Sequence, residues 1–143
     1  MPDMVIRPYA NMDESSVVAL WSKCGLIRPW NDPHKDIERK IKINPELFLV
    51  GMIGDRIAAT AMGGYEGHRG WVNYLAVDPD FRKRGLGRQM MRAVEEKLLG
   101  MDCPKLNIQV RSGNVEAIEF YRKIGYKVDE AVSMGKRLIE DGK

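Results

Sequence analysis

Chemistry that depends on cysteine or histidine has little to draw on in this chain, which holds two of each among 143 residues. Cys24 and Cys103 stand too far apart for a metal motif or a disulfide framework and are expected as buried or free thiols. No metal and no cysteine nucleophile are therefore expected. Long hydrophobic runs are missing too: no apolar stretch approaches the ~18 residues of a membrane-spanning helix, so no membrane partner is expected. Met1-Pro2-Asp3 does not open like a secretory leader, which makes the cytoplasm the expected location. Neither sign of charge dominates, since 23 Lys and Arg face 20 Asp and Glu for a net charge of +3. With 8% aromatic residues and no recognisable binding motif, nucleic acid is not an expected partner. There is no repeat, low-complexity tract or linker. A composition of 44% hydrophobic and 30% charged residues is that of a globular protein, and the length suits one domain, residues 1–143.

What the chain does have is one dense local pattern, Arg82-Lys83-Arg84-Gly85-Leu86-Gly87-Arg88, at a junction between a strand-like and a helix-like run. A helix N-terminus carries unpaired N–H groups and roughly +0.5 of an elementary charge, so an anion there is stabilised before any side chain contributes. Gly85 and Gly87 permit φ > 0 and close approach of the main chain, while Arg82, Lys83, Arg84 and Arg88 surround the mouth. The pattern suits a diphosphate. It is not a P-loop, because Gly87 is followed by Arg88 and Gln89, and it is not the dinucleotide fingerprint, because Met90 occupies the third glycine's place. A solvated surface loop is the plainer alternative.

Periodicity orders the remaining elements. Met4 to Tyr9 reads as an edge strand, with Pro8 near its end. Val17, Leu20, Trp21 and Cys24 recur at helical spacing over Asp13 to Lys23, and Gly25 stops the helix. Asp32-Pro33 is a cap and first-turn pair for a second helix carrying Ile37 and Ile41 and ending before Pro45. Leu47 to Ile53 and Arg56 to Met62 form a hairpin at Gly54-Asp55, and Trp71 to Val77 is the next strand. Leu86, Met90, Val94 and Leu98 mark one face of a helix closing at Gly100. Leu106 to Val110 is expected as a strand, Asn114 to Ile124 as a helix and Tyr126 to Lys136 as a last strand in the sheet.

The loop R-x-x-G-x-G after Leu75-Ala76-Val77-Asp78-Pro79, together with Asn114-Val115-Glu116-Ala117-Ile118-Glu119-Phe120-Tyr121 and Gly125-Tyr126, resembles the two signature blocks of the GNAT family of N-acetyltransferases. Their patterns are Q/R-x-x-G-x-G/A and N-x-x-A-x-x-F/L-Y followed by G-F/Y. The run Arg28-Pro29-Trp30-Asn31-Asp32-Pro33, the stretch Gly63 to Gly70 and the ending Gly135-Lys136-Arg137-Leu138 look most like the YpeA branch of bacterial acetyltransferases. The resemblance implies an α/β (α+β mixed sheet) fold: a central, mostly antiparallel sheet, splayed at the coenzyme site and flanked by about four helices. It implies acetyl-CoA as co-substrate and transfer of an acetyl group to a primary amine of a small molecule or a peptide N-terminus, without a covalent enzyme intermediate. A homodimer is compatible with it. The alternative is a non-catalytic sensor that binds acyl-CoA through the same loop.

Site residues follow from the same resemblance. The coenzyme would be held by main chain of Leu75, Ala76 and Val77, by residues 82–88 and by Asn114. Tyr121 matches the tyrosine that gives a proton to the departing sulfur, and a phenol with an ordinary pKa near ~10 keeps that proton at neutral pH. Packing in the helical stripe Ala117, Phe120, Tyr121 and Ile124 is the competing account of Tyr121, and helix capping that of Asn114. No general base stands out: related enzymes place it where this chain has Trp71, Asn73 or Gln109. Glu66, His68, Asp32, His34, or water held by Asn73 or Tyr74 are the remaining candidates, and an amine that arrives already neutral would need none of them. Trp30, beside Asp32 and Glu66, is expected to contribute to acceptor binding through its ring face, unless it serves as a packing anchor.

Overall fold

The computed structural model describes residues 3–141, so the Met1-Pro2 opening lies outside the described residues. Five strands, β1 (Val5–Pro8), β2 (Phe48–Ile53), β3 (Arg56–Tyr65), β4 (Gly70–Val77) and β5 (Leu106–Ile108), form one sheet in chain order. The first three pairings are antiparallel and β4 pairs with β5 in parallel. The helices are α1 (Glu14–Lys23), α2 (Pro33–Lys40), α3 (Leu86–Leu99) and α4 (Val115–Lys123). This is the mixed, mostly antiparallel sheet with about four flanking helices that the motifs imply.

Alternation along the strands divides the core into two faces. On one, Leu49, Ala59, Ala61 and Val72 meet Met90, Met91, Val94 and Leu98 of α3, with Phe120 and Tyr121 of α4 and Ile124 at its C-cap packed alongside. On the other, Phe48, Val50, Met62 and Ala76 meet Val17, Leu20 and Trp21 of α1 and Ile37 of α2. Thus α1 and α2 lie across the sheet from α3. The Asp32 carboxylate starts α2 by accepting from the N–H groups of His34 (2.9 Å) and Lys35 (3.3 Å), and Pro33 needs no acceptor in the first turn.

Two irregularities shape the region between the faces. The β3–β4 register moves from Thr60↔Ala76 to Met62↔Asn73, so Tyr74 and Leu75 stand opposite Ala61 alone. This bulge puts Tyr74 at φ +53°, a conformation that a bulky residue adopts only when its surroundings hold it. The second irregularity is that β4–β5 pairing covers only Gly70–Val72 against Leu106–Ile108. From Asn73 to Val77, β4 keeps a strand neighbour on the β3 side only.

One element differs from expectation. Residues 126–136 are not a strand: their backbone is irregular, with Val128, Val132 and Met134 exposed by 75%, 88% and 91%. An alternating apolar pattern makes a strand when one face is buried, and these residues have no layer to cover them. They reach β5 and its extension through side chains instead: Lys105 Nζ (2.9 Å) and Asn107 Nδ2 (2.8 Å) donate to Asp129, and Gln109 donates to Ser133. Boundaries also shift modestly. β3 runs on through Gly63, Gly64 and Tyr65, which leaves residues 66–69 as the turn, and β5 stops at Ile108.

Candidate active site

A cavity of about 700 Å³ opens where β4 and β5 part. Asn73, Tyr74 and Leu75 of β4 form one wall, and Gln109, Val110 and Arg111 beyond β5 form the other. α2 contributes Asp36, Arg39 and Lys40 from one side of the sheet, and Asn114, Ala117 and Tyr121 enter with α4.

Tyr121 is the best-placed proton donor. Its ring meets Phe120 and Tyr126 edge-on, at centroid distances of 5.0 and 5.8 Å. Burial pushes the phenol up to about 12, which keeps it protonated at neutral pH. No described residue takes a hydrogen bond from its hydroxyl, which leaves the proton available to a ligand. Asn114 Oδ1 caps α4 by accepting from the Ala117 N–H at 3.1 Å, yet the same residue lines the cavity. Capping and a ligand contact are thus geometrically compatible.

At the start of α3, Gly85 (φ +75°) and Lys83 (φ +65°) turn the chain, and among the described residues no side chain caps the first N–H groups. A 14-residue helix therefore offers its positive end to an outside anion. Lys83 and Arg88 are exposed, and Arg84 lies 5.3 Å over the Phe81 ring. Arg82 Nε donates to the Val77 carbonyl at 3.4 Å. Leu86 points into a cluster with Ile53, Ala58 and Phe81, leaving only its main chain for a ligand. Gly87 has a packing role beside any ligand role: a β-carbon there would stand 3.1 Å from Phe120 Cζ. The helix end is thus open to an anion, and the edge of β4 beyond Val72 is open to an extended ligand.

The acceptor-side candidates separate. Trp30 and Asn73 line the cavity, with the Arg111 guanidinium 5.4 Å over the Trp30 ring. Asp32 and Glu66 do not line it. Asp32 is engaged in the α2 cap, and Glu66 accepts from the N–H groups of His68 and Arg69 in the β3–β4 turn, bonds that hold its carboxyl below the usual range. His34 pairs with Glu14 at 2.6 Å, and neither it nor His68 is a cavity residue.

Sequence reasoning missed the carboxylate that does enter. Asp36 Oδ2 accepts from the Tyr74 phenol at 2.6 Å, and Oδ1 accepts from Arg39 at 3.1 Å. Burial, reinforced by Asp36, pushes the Tyr74 phenol far up, so Tyr74 remains the donor in this pair. The available signal was weak: Asp36 lies next to the buried Ile37, but only the β4 bulge brings Tyr74 to it. Lys40 is a second unforeseen wall residue, and burial lowers its ammonium pKa against a weaker opposing effect of Glu46. Cys24 and the buried Cys103 are both free thiols.

An uncapped, glycine-led helix and two parted strands are the arrangement that the sequence resemblance implies for a coenzyme site. The match to known proteins makes the class specific: the model of the Acetyltransferase (GNAT) family covers residues 15–126, and this chain belongs to that family. An acetyltransferase of Yersinia enterocolitica is 48% identical over 138 residues, 96% of this chain and 98% of that protein. Among solved structures, Ard1 from Thermoplasma volcanium superposes with a TM-score of 0.80 at 24% identity, over 89% of this chain and 84% of that one. AAC(6')-Iy, solved with the bisubstrate analogue CoA-S-monomethyl-acetylneamine, superposes at 0.77 and 16% identity over 95% and 99% of the two chains. At these identities the structural likenesses concern the fold.

Proposed function

We propose that this protein transfers an acetyl group from acetyl-CoA to a primary amine by direct attack in a ternary complex, with Tyr121 as general acid. The observation that carries the reading is a neutral, unpartnered phenol lining the cleft where β4 and β5 separate, on a helix whose neighbouring Phe120 packs against Gly87 at the uncapped N-terminus of α3. Bound acetyl-CoA supplies an acetyl thioester. The N–C bond forms as the C–S bond breaks, one proton leaves the nitrogen and one reaches the sulfur; Tyr121 is suited to give the latter. Main chain of Leu75, Ala76 and Val77 pairs with the pantetheine arm, and an N–H near Leu75 or Ala76 polarises the carbonyl, where one such donor is worth about 3 kcal/mol elsewhere. Residues 82–88 bind the diphosphate, and Asn114 assists.

On the acceptor side, Trp30 and Asn73 shape the pocket. Asp32 and Glu66 stand outside it and act through the loops they brace. The motifs quoted above support the YpeA branch, and cytoplasmic action, alone or as a homodimer, is consistent with the family. Calorimetric titration with acetyl-CoA and CoA, followed by thiol release against amines and short peptides, tests the reading. Binding with release that falls in Tyr121→Phe supports it. Binding without release on any acceptor favours the sensor, and no binding at millimolar ligand removes the coenzyme reading.

A further inference from the structure

The cavity wall is unbalanced in charge. Arg28, Arg39, Lys40 and Arg111 line it, and Asp36 is the only carboxylate among its described residues. Arg39 is neutralised, because it donates to Asp36 and, through both terminal nitrogens, to the Asp141 carboxylate. The other three cations have no ion-pair partner among the described residues. Arg28 donates to the Gly25 carbonyl at 3.0 Å, Arg111 lies on the Trp30 ring, and Lys40 is half-buried. A cation withdrawn from water without a counter-ion is costly, and the lowered ammonium pKa of Lys40 reports that cost. An anion brought into this cavity would relieve it.

Coenzyme A does not claim these cations through its diphosphate. That group belongs to residues 82–88, none of which line the cavity, and α2 lies across the sheet from α3. Asp36 and Lys40 are four residues apart on α2 and therefore share a helix face, about 6 Å between β-carbons. One helix face thus presents an acid pole and a base pole to the same space.

We propose that the acceptor is a small amine that also carries a carboxylate, as an amino acid does, with its carboxylate held by Lys40, Arg28 and Arg111 and its amine beside Asp36. This rests on the acetyltransferase reading above. The nitrogen approaches from the α2 side, and the thioester lies along β4. An amine lacking the carboxylate leaves three cations unpaired, and a polyamine meets repulsion.

The test compares thiol release with acetyl-CoA for each of the twenty amino acids, its α-amide and the corresponding decarboxylated amine, alongside polyamines and short peptides. The expected result is kcat/KM at least tenfold higher for the amino acid that turns over than for its amide or decarboxylated form. Lys40→Met should raise KM for that acid about tenfold, with kcat within twofold and acetyl-CoA affinity unchanged by calorimetry. Arg111→Gln, a change at an exposed position, should raise KM in the same direction and serves if Lys40→Met fails to fold. Turnover of amides, polyamines or peptides in preference to free acids overturns this inference and leaves acetyl transfer standing. A KM that neither variant moves also overturns it. Absence of acetyl-CoA binding, or of turnover on every amine, overturns the acetyltransferase reading and this inference with it.

Discussion

The indole Nε1 of Trp21 donates to the Thr60 hydroxyl at 2.9 Å, and Thr60 in turn donates to the Tyr74 carbonyl at 2.9 Å. Trp21 also stacks on Tyr74, with ring centroids 3.8 Å apart. α1 is thereby fastened to the β4 bulge through a fully buried threonine, and the bulge in turn aims the Tyr74 phenol at Asp36 on α2. One short chain of hydrogen bonds and ring contact thus runs through α1, β3, β4 and α2, and the last three of these wall the cavity.

Thr60→Val keeps the shape and removes both bonds. It leaves a buried indole N–H and a carbonyl without their partner, at roughly 1–3 kcal/mol for each group left unsatisfied. We expect a loss of about 2–4 kcal/mol in urea unfolding, with KM for the amine rising more than the acetyl-CoA dissociation constant. Unchanged stability would show that the relay does not hold the bulge.

Gly85 and Gly87 should respond to alanine for different reasons. At Gly85 a side chain has open space but must adopt φ +75°, a strain of about 1 kcal/mol or more. At Gly87 the new β-carbon presses on Phe120 at 3.1 Å and separates α3 from α4. Gly87→Ala should weaken acetyl-CoA binding and lower Tm. Adding Phe120→Leu should recover part of the Tm, whereas the same addition should do nothing for Gly85→Ala.

Tyr121→Phe should lower kcat about 10²-fold, in the range of a lost general acid, with acetyl-CoA affinity nearly unchanged. Its phenol is raised to about 12 from an ordinary value near ~10. The corresponding stability is fully present below pH ~10 and is lost as pH rises toward 12. The wild-type kcat profile should therefore show no descending limb from Tyr121 below pH ~10. A limb near neutral pH that disappears in Tyr121→Phe would contradict this assignment.

Asp13 anchors the start of α1. Its carboxylate accepts from Arg7 at 2.7 and 2.9 Å and from the Ala10 N–H at 2.8 Å. The Arg7 hydrogen bonds are the main reason its carboxyl lies below the usual range. Stability from this group is present above its ordinary value near ~4 and is lost as pH falls through the lower folded value. Asp13→Asn should cost about 1.5–3 kcal/mol at pH 7. In thermal unfolding, the gap to wild type should narrow as pH falls below ~4.

Local order was largely legible. Leu86, Met90, Val94 and Leu98 fall on the buried face that their spacing implies, and Asp32-Pro33 starts α2 as a cap and first turn should. The basic glycine loop lies at the N-terminus of α3 because glycine, basic residues and an amphipathic run already specify a turn into a helix. The segment 126–136 was misread because its alternating apolar residues satisfy the strand pattern with no covering layer to act on it. Asp36 was missed for the opposite reason, since a polar residue on a short charged helix gives no sign of what lies across from it.

The sequence by itself determined the periodicities, the caps and the basic glycine loop, because these depend on groups within a few residues of one another. Tertiary structure alone decided which charges share the cavity. Asp36, Lys40, Tyr74, Arg111 and Tyr121 come from α2, β4, α4 and the segment beyond β5, and they meet because a bulge and a three-residue strand leave the sheet open there. Side-chain convergence of that kind depends on register and layer packing, which no local pattern encodes.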